Sequence, residues 1–235
     1  MQLAAHGVSH KGRRKSNEDA MVIDPDRQLF VVADGMGGHN AGEVASALAV
    51  KTLHEFIAQA NDASESALAE ALCLANDQVL NAAANNSTYE GMGTTVVAAC
   101  VNDGSVVFGS VGDSRIYLMH DHSLRQLTHD DSWVSRVLPA DAIGSEEAAR
   151  HPMRHVLTKV IGLREDMEPS VGSSPFASGD TLLLCSDGLH GVLSNEAIAE
   201  LLQQSNVEAI ASELVERALN SGSTDNITAV VVRKL

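Results

Sequence analysis

Along the chain, short and nearly unbroken apolar runs alternate with longer stretches whose apolar residues recur at helical spacing. MVIDPDRQLFVVAD, Met21 to Asp34, predicts two strands joined by a turn at Asp24-Pro25-Asp26. AGEVASALAVKTLHEFIAQA, beginning at Ala41, places Val44, Leu48, Leu53 and Ile57 at helical spacing, and SESALAEALCLANDQVLNAA from Ser64 repeats that character. Between Gly93 and Leu127 the pattern shortens to strands: TTVVAACV, SVVFGSV, RIYLM and SLRQL. Asn102-Asp103-Gly104 and His120-Asp121-His122 separate them with hairpin chemistry.

The segment from Thr128 to Leu163 is more polar and irregular, and is expected to hold short helices. DTLLLCSD then reads as an apolar strand ending on an acid. Two helices follow, the second expected to open on a capping box formed by Ser205 and Glu208, and NITAVVV reads as a last strand. There is no repeat, low-complexity tract or linker. Consecutive hairpins covered by helix pairs predict antiparallel sheets in a single α+β domain spanning residues 1–235.

Composition narrows the partners. The 235 residues are 44% hydrophobic, ordinary for a globular chain, and no run is long enough to cross a membrane. MQLAAHGVSHKGRRKSNEDA has no apolar core behind a basic start, so no secretory signal is expected. Sixteen Lys and Arg against 31 Asp and Glu give a formal charge of −15, which disfavours nucleic acid and anionic lipid. Against that background Lys11, Arg13, Arg14 and Lys15 cluster, either as a solvated arm or as a local anion site. Cys73, Cys100 and Cys185 lack any CxxC spacing and read as small buried residues of a reducing compartment.

The candidate chemistry lies in acids at strand boundaries. Asp34-Gly35, Asp103-Gly104 and Asp187-Gly188 each follow an apolar run. A strand resumes at once after Asp103-Gly104, so that pair reads as a turn; glycine-rich or helical sequence follows the other two. Asp113 and Asp225 mark further strand boundaries, and Glu18 and Asp19 precede the first predicted strand. Strand ends are rigid, so such carboxylates can converge, and a divalent cation removes the cost of gathering them. Hard oxygen donors without His or Cys in metal spacing favour Mg²⁺ or Mn²⁺ over zinc. Two ions sharing a carboxylate could hold a water as nucleophile, the outline of a phosphoryl-transfer site, with the glycines beside Asp34 making room.

RKSNED (Arg14 to Asp19), VVADGMGGHNAGEVAS, EGMGTTVVAA (Glu90 to Ala99), VGDSRIYL, LLLCSDGL and STDNITAVVV occur in this order. Together they resemble the metal-dependent protein phosphatase family, type 2C, especially its bacterial stand-alone serine/threonine phosphatases, across essentially the whole chain. The resemblance implies a sandwich of two antiparallel sheets flanked by pairs of helices, with a binuclear metal site at one end. It implies that Asp34 bridges the two metals, that the Gly35 carbonyl binds the second, and that Asp187 and Asp225 complete the first. Glu18 would act mostly through water, with Asp19 beside it in an outer position. Asp113 would help hold a third, weaker metal, and Arg14 would grip the substrate phosphate. Residues 128–163 would form a flap-like insertion. Some members carry a His directly after the first Asp-Gly, thought to protonate the leaving group; Met36 stands there, His39 three residues on can point elsewhere, and the general acid is unassigned, with a metal-bound water or solvent as the alternatives.

The implied activity is hydrolysis of phosphoserine and phosphothreonine in proteins, dependent on Mn²⁺ or Mg²⁺. The expected enzyme is cytoplasmic and monomeric, has no nucleic-acid or membrane partner, and opposes a separate kinase. Two alternatives remain open on the sequence: a hydrolase of small phosphate esters, which shares the site chemistry, and a pseudophosphatase interaction module, which should have lost carboxylates that are all present. Other chemistries lack their patterns. His120-Asp121-His122 reads as a turn, the glycine loop lacks GxxxxGK, Ser186 lacks a GxSxG elbow, and no Cys has Arg six positions on. Trp133 is expected to pack against or border the flap.

Overall fold

The computed structural model describes residues 2–37, 41–60, 63–138 and 151–235. Strands β1 (Leu3–His10), β2 (Asp19–Asp24) and β3 (Leu29–Met36) precede helices α1 (Ala41–Gln59) and α2 (Glu65–Asn85). Strands β4 (Gly93–Thr94), β5 (Val96–Asn102), β6 (Ser105–Val111), β7 (Arg115–His120) and β8 (Ser123–Gln126) follow, then the short helix α3 (Trp133–Val137). The chain continues through β9 (Ser170–Pro175), β10 (Thr181–Cys185), α4 (Asp187–His190), α5 (Asn195–Leu202), α6 (Val207–Asn220) and β11 (Ile227–Lys234).

One sheet runs β1-β11-β10-β7-β8 and the other β2-β3-β5-β6-β9, with β4 pairing β3. The strand pairings are antiparallel. Strand β3 shows why its sequence is apolar at every position from Leu29 to Ala33. Phe30 and Val32 point between the sheets, against Val97, Ile116, Leu182 and Val230. Leu29, Val31 and Ala33 point the other way, into a layer shared with Leu53, Leu68 and Leu72 of α1 and α2. A third layer packs Ile210 and Leu214 of α6 on Leu183 and Val231. Helices therefore cover both outer faces, as expected, and each such side chain contributes roughly 1.5–3 kcal/mol by leaving water.

Several local expectations need correction. Strands β1 and β9 were not foreseen: LAAHGVSH and SVGSSP are interrupted by Gly, Ser, His and Pro and lie at sheet edges, where pairing with β11 and β6 makes them strands. Helix α6 is capped by Asn206, whose side chain accepts the N–H groups of Glu208 and Ala209, and Ser205 is not the cap. The strand before Asp187 ends at Cys185, and Asp187 instead begins a one-turn helix, α4. Cys100 and Cys185 are buried, but Cys73 is exposed on α2. The turn expectations hold. Asp103-Gly104 closes the β5–β6 hairpin, and Asp121 and His122 adopt φ of 45° and 61° between β7 and β8.

Candidate active site

The two sheets meet at one end through a carboxylate. Asp19 leaves β2, and its Oδ2 accepts hydrogen bonds from Ser186 Oγ at 2.8 Å and Thr228 Oγ1 at 2.6 Å. Ser186 and Thr228 lie beside the ends of β10 and β11, so this staple ties one sheet to the other. Thr228 Oγ1 also lies 2.8 Å from Ser9 Oγ on β1, and Asn17 Nδ2 donates to that serine at 2.8 Å. Sequence reasoning saw Ser186 only as a nucleophile without its elbow; it is a positioning hydroxyl.

Asp34 stands opposite Asp19 in the β2–β3 register. Its N–H donates to Thr95 Oγ1 at 3.1 Å, and its carbonyl accepts from the Thr95 N–H and Thr94 Oγ1, each at 2.9 Å. Thr95 Oγ1 lies 2.7 Å from Ser114 Oγ, which ties β3 to the turn carrying Asp113. Gly35 and Gly42 are needed for close approach. A Cβ on Gly35 would strike the carbonyl oxygens of Gly42 and Glu18, and one on Gly42 would strike the Glu18 carboxylate. Gly35 thus makes room for the start of α1 and for the Glu18 carbonyl. Gly38 and His39 lie outside the described residues, as does the 139–150 part of the expected flap.

Glu18 is held by its backbone. Its N–H donates to Asn226 Oδ1 at 2.8 Å, and its carbonyl accepts from Gly35 N–H at 3.1 Å and Ser46 Oγ at 2.6 Å. The basic cluster divides. Arg14 Nη2 contacts Asp225 Oδ2 at 2.7 Å, and Arg14 and Lys15 line the central cleft, whereas Lys11 and Arg13 do not. Asn226, beside Asp225, clamps this arm: its Nδ2 donates to the carbonyls of Lys11 and Ser16, each at 2.9 Å. Asp113 is steadied by His190, a residue sequence reasoning passed over, whose Nε2 lies 3.0 Å from the Asp113 carbonyl. Enclosure pushes the His190 pKa down to about 3, so it is neutral and donates that hydrogen bond.

The structure thus brings Arg14, Glu18, Asp34, Gly35, Asp113, Asp187 and Asp225 to the wall of one cleft of about 920 Å³, with Asp19 immediately behind. The acids repel one another. Burial first, then Asp19, Asp187 and Asp113, raise Asp34 well above the ordinary carboxylate range. Burial and the charge of Asp187 push Asp113 up to about 7, and burial pushes Asp19 up to about 6 against the lowering effect of its two hydroxyl donors. Asp187 is raised by burial and by Asp225, with His155 and Arg14 opposing.

Two buried oxygens, Asp19 Oδ1 and Asp187 Oδ1, have no hydrogen-bond partner. Orphaned carboxylate oxygens inside a repelling cluster fit a hard divalent cation. Among the described residues no group of His, Cys, Asp or Glu closes into a cage made of side chains alone. Magnesium-type ions do not require one, since water and backbone carbonyls complete their shells.

Of the remaining expectations, His120-Asp121-His122 stays at its hairpin tip, away from the cleft, and Trp133 stacks on His151 with ring centroids 5.1 Å apart. His155 and Leu157, which sequence reasoning did not single out, line the cleft.

The family model described as Protein phosphatase 2C matches residues 6–225. The chain is 36% identical over 234 residues to "Serine/threonine phosphatase stp" of Listeria monocytogenes, covering 95% of this chain and 93% of that one. It is 35% identical over 229 residues to "Protein phosphatase PhpP" of Streptococcus pneumoniae, covering 94% and 92%. Among solved structures it is similar to the serine/threonine phosphatase Stp1 from Staphylococcus aureus, with TM-score 0.93, 35% identity and coverage of 100% and 96%. It is also similar to the catalytic domain of the serine threonine protein phosphatase PstP in complex with two manganese ions, with TM-score 0.89, 34% identity and coverage of 98% and 97%.

Proposed function

The chain belongs to the protein phosphatase 2C family, and from that premise we propose that it is a Mn²⁺- or Mg²⁺-dependent phosphatase of phosphoserine and phosphothreonine in proteins. The observation that carries the site assignment is the carboxylate cluster with its two orphaned buried oxygens. Asp34, Asp187 and Asp225 would hold the divalent cations together with the Gly35 carbonyl, Glu18 and Asp113. Asp19 would support them from behind, through the staple to Ser186 and Thr228. When bound, the cations supply positive charge toward the phosphate and lower the pKa of water toward neutrality.

The protein's own groups do the rest. Arg14 stands at the cleft with its guanidinium already beside the cluster, and a fork of N–H donors suits two phosphate oxygens. An arriving phosphate competes with Asp225 for that fork. Asn226 holds the Arg14 arm, and Thr95 and Ser114 hold Asp34 relative to Asp113. Met36, exposed beside Gly35, has no proton to give.

The same reading extends to organisation and setting. Residues 1–235 constitute one catalytic domain, with 128–163 a flap-like insertion that influences which phosphoprotein fits. The enzyme acts as a cytoplasmic monomer in signalling and opposes a separate serine/threonine kinase. In support, no helix among the described residues is long and apolar enough to cross a membrane, and the net charge of −15 disfavours nucleic acid.

The test compares turnover of phosphothreonine peptides and sugar phosphates with Mn²⁺, and again in EDTA. Peptide turnover should dominate, vanish in chelator and return with Mn²⁺ or Mg²⁺. Full activity in EDTA, or preference for the sugar phosphates, overturns the proposal.

A further inference from the structure

A seryl or threonyl oxygen that leaves phosphorus unprotonated is a strongly basic alkoxide, and a positioned acid speeds such departures by about 10²–10⁴-fold. Met36 cannot serve. Among the described residues the cleft beside Asp34 and Asp187 is lined by one imidazole, His155. The other ionisable groups on that wall are carboxylates that the phosphatase reading commits to cations, or the bases Arg14 and Lys15. Of the groups on that wall, the imidazole is the kind of side chain that most often passes a proton to a departing oxygen.

His155 is exposed, and its side chain has no hydrogen-bond or ion-pair partner among the described residues. The three residues that follow it are nevertheless anchored. Trp133 N–H donates to the Val156 carbonyl at 2.8 Å, Leu157 bridges to Ser132, and Thr158 N–H donates to the Asp131 carbonyl at 2.7 Å. Asp131 also grips the turn that carries Asp113: its N–H donates to the Gly112 carbonyl at 2.8 Å, and its Oδ2 accepts from Gly112 N–H at 3.2 Å. One residue therefore sets the spacing between the His155 segment and the carboxylate cluster. Asp187 interacts electrostatically with both His155 and Arg14, so the imidazole and the phosphate-gripping guanidinium border the same carboxylate.

We propose that His155 is the proton donor to the leaving serine or threonine oxygen. The inference rests on the phosphatase reading and completes its chemistry. A water oxygen forms a bond to phosphorus, and the bond from phosphorus to the ester oxygen breaks, its electron pair going to that oxygen. The imidazolium N–H of His155 passes its proton there, giving the free alcohol. The proton lost by the attacking water leaves to solvent, and solvent reprotonates His155, so the net reaction is phosphate ester plus water to alcohol plus inorganic phosphate.

The experiment exploits the leaving group. His155→Asn and His155→Gln, saturated with Mn²⁺, are compared with the wild type on a phosphothreonine peptide and on p-nitrophenyl phosphate, whose phenolate departs without needing a proton. Peptide kcat should fall about 100-fold or more, and aryl ester kcat should stay within about threefold. Thermal unfolding with Mn²⁺ should stay close to the wild type, since among the described residues the side chain makes no hydrogen bond or ion pair. Equal losses on the two substrates would make His155 a positioning residue and overturn the proposal, as would no loss on either. A wild type inactive on both esters overturns the phosphatase reading and this inference with it, whereas active wild type with unaltered variants overturns only the assignment of the proton donor.

Discussion

Asp19 and Asp34 stand directly opposite one another on adjacent antiparallel strands. Like charges in that relation destabilise a sheet, and here Asp187 and Asp225 add to the repulsion of both. Asp34→Asn should therefore nearly abolish phosphopeptide turnover and weaken Mn²⁺ binding, yet raise the thermal stability of the metal-free protein. Asp103 also precedes a glycine after an apolar run, but it is exposed in the β5–β6 hairpin. Asp103→Asn should keep activity within about twofold and stability within about 0.5 kcal/mol. Calorimetric Mn²⁺ titration and peptide assays of both variants check this; wild-type turnover and affinity in Asp34→Asn would remove the site.

Chelation should make stability depend on pH with a definite sign. Folding raises Asp19 to about 6 and Asp113 to about 7, above the 3.8 of a free aspartate. Between about pH 4 and pH 7 the folded protein then binds more protons than the unfolded chain, so stability falls as pH rises through that window. The Tm in EDTA should accordingly be higher at pH 5 than at pH 8, each kcal/mol moving it by roughly 2–4 °C in a domain of this size. Saturating Mn²⁺ should flatten or reverse the trend. A chelated protein whose Tm rises across the same window would contradict the account of the cluster.

Arg14 and Asp225 form a close ion pair at 2.7 Å, but their side chains remain 60% and 36% exposed. Such a pair contributes little to stability. Arg14→Ala should leave the Tm almost unmoved while lowering kcat/KM for a phosphopeptide roughly 10- to 150-fold, the loss of one charge-assisted contact. Lys11→Ala, on the solvated part of the arm, should change it by less than about twofold. Equal losses at both positions would point to a diffuse electrostatic patch.

Asn226 is buried and holds the residues before β2 with three side-chain bonds, to Lys11, Ser16 and Glu18. Removing it leaves the Ser16 carbonyl and the Glu18 N–H without this partner, and the Lys11 carbonyl with only the Arg14 N–H, so Asn226→Ala should cost roughly 2–4 kcal/mol of stability in urea unfolding. It should also raise KM for phosphopeptide more than it lowers kcat, because Arg14 rides on the clamped segment. Unaltered stability would show that water replaces the clamp.

The strands and helices that bury a face declared themselves along the chain, since β3, β5 and β10 must be apolar on both sides and α1, α2 and α6 along one stripe. The candidate ligands Asp34, Asp187 and Asp225 were readable for a similar reason: each sits where an apolar run stops or begins, beside residues a turn requires. Edge strands β1 and β9 were not readable, because their extended form comes from a partner's hydrogen bonds and their own side chains are mixed. Neither was the support of the site. Ser186 and Thr228 reach Asp19 across 167 and 209 residues, and His190 reaches the Asp113 carbonyl across 77. Local pattern records what a segment must bury. Which polar atoms then meet depends on how two sheets are laid together, because a hydrogen bond is decided by a few tenths of an ångström that no spacing along the chain encodes.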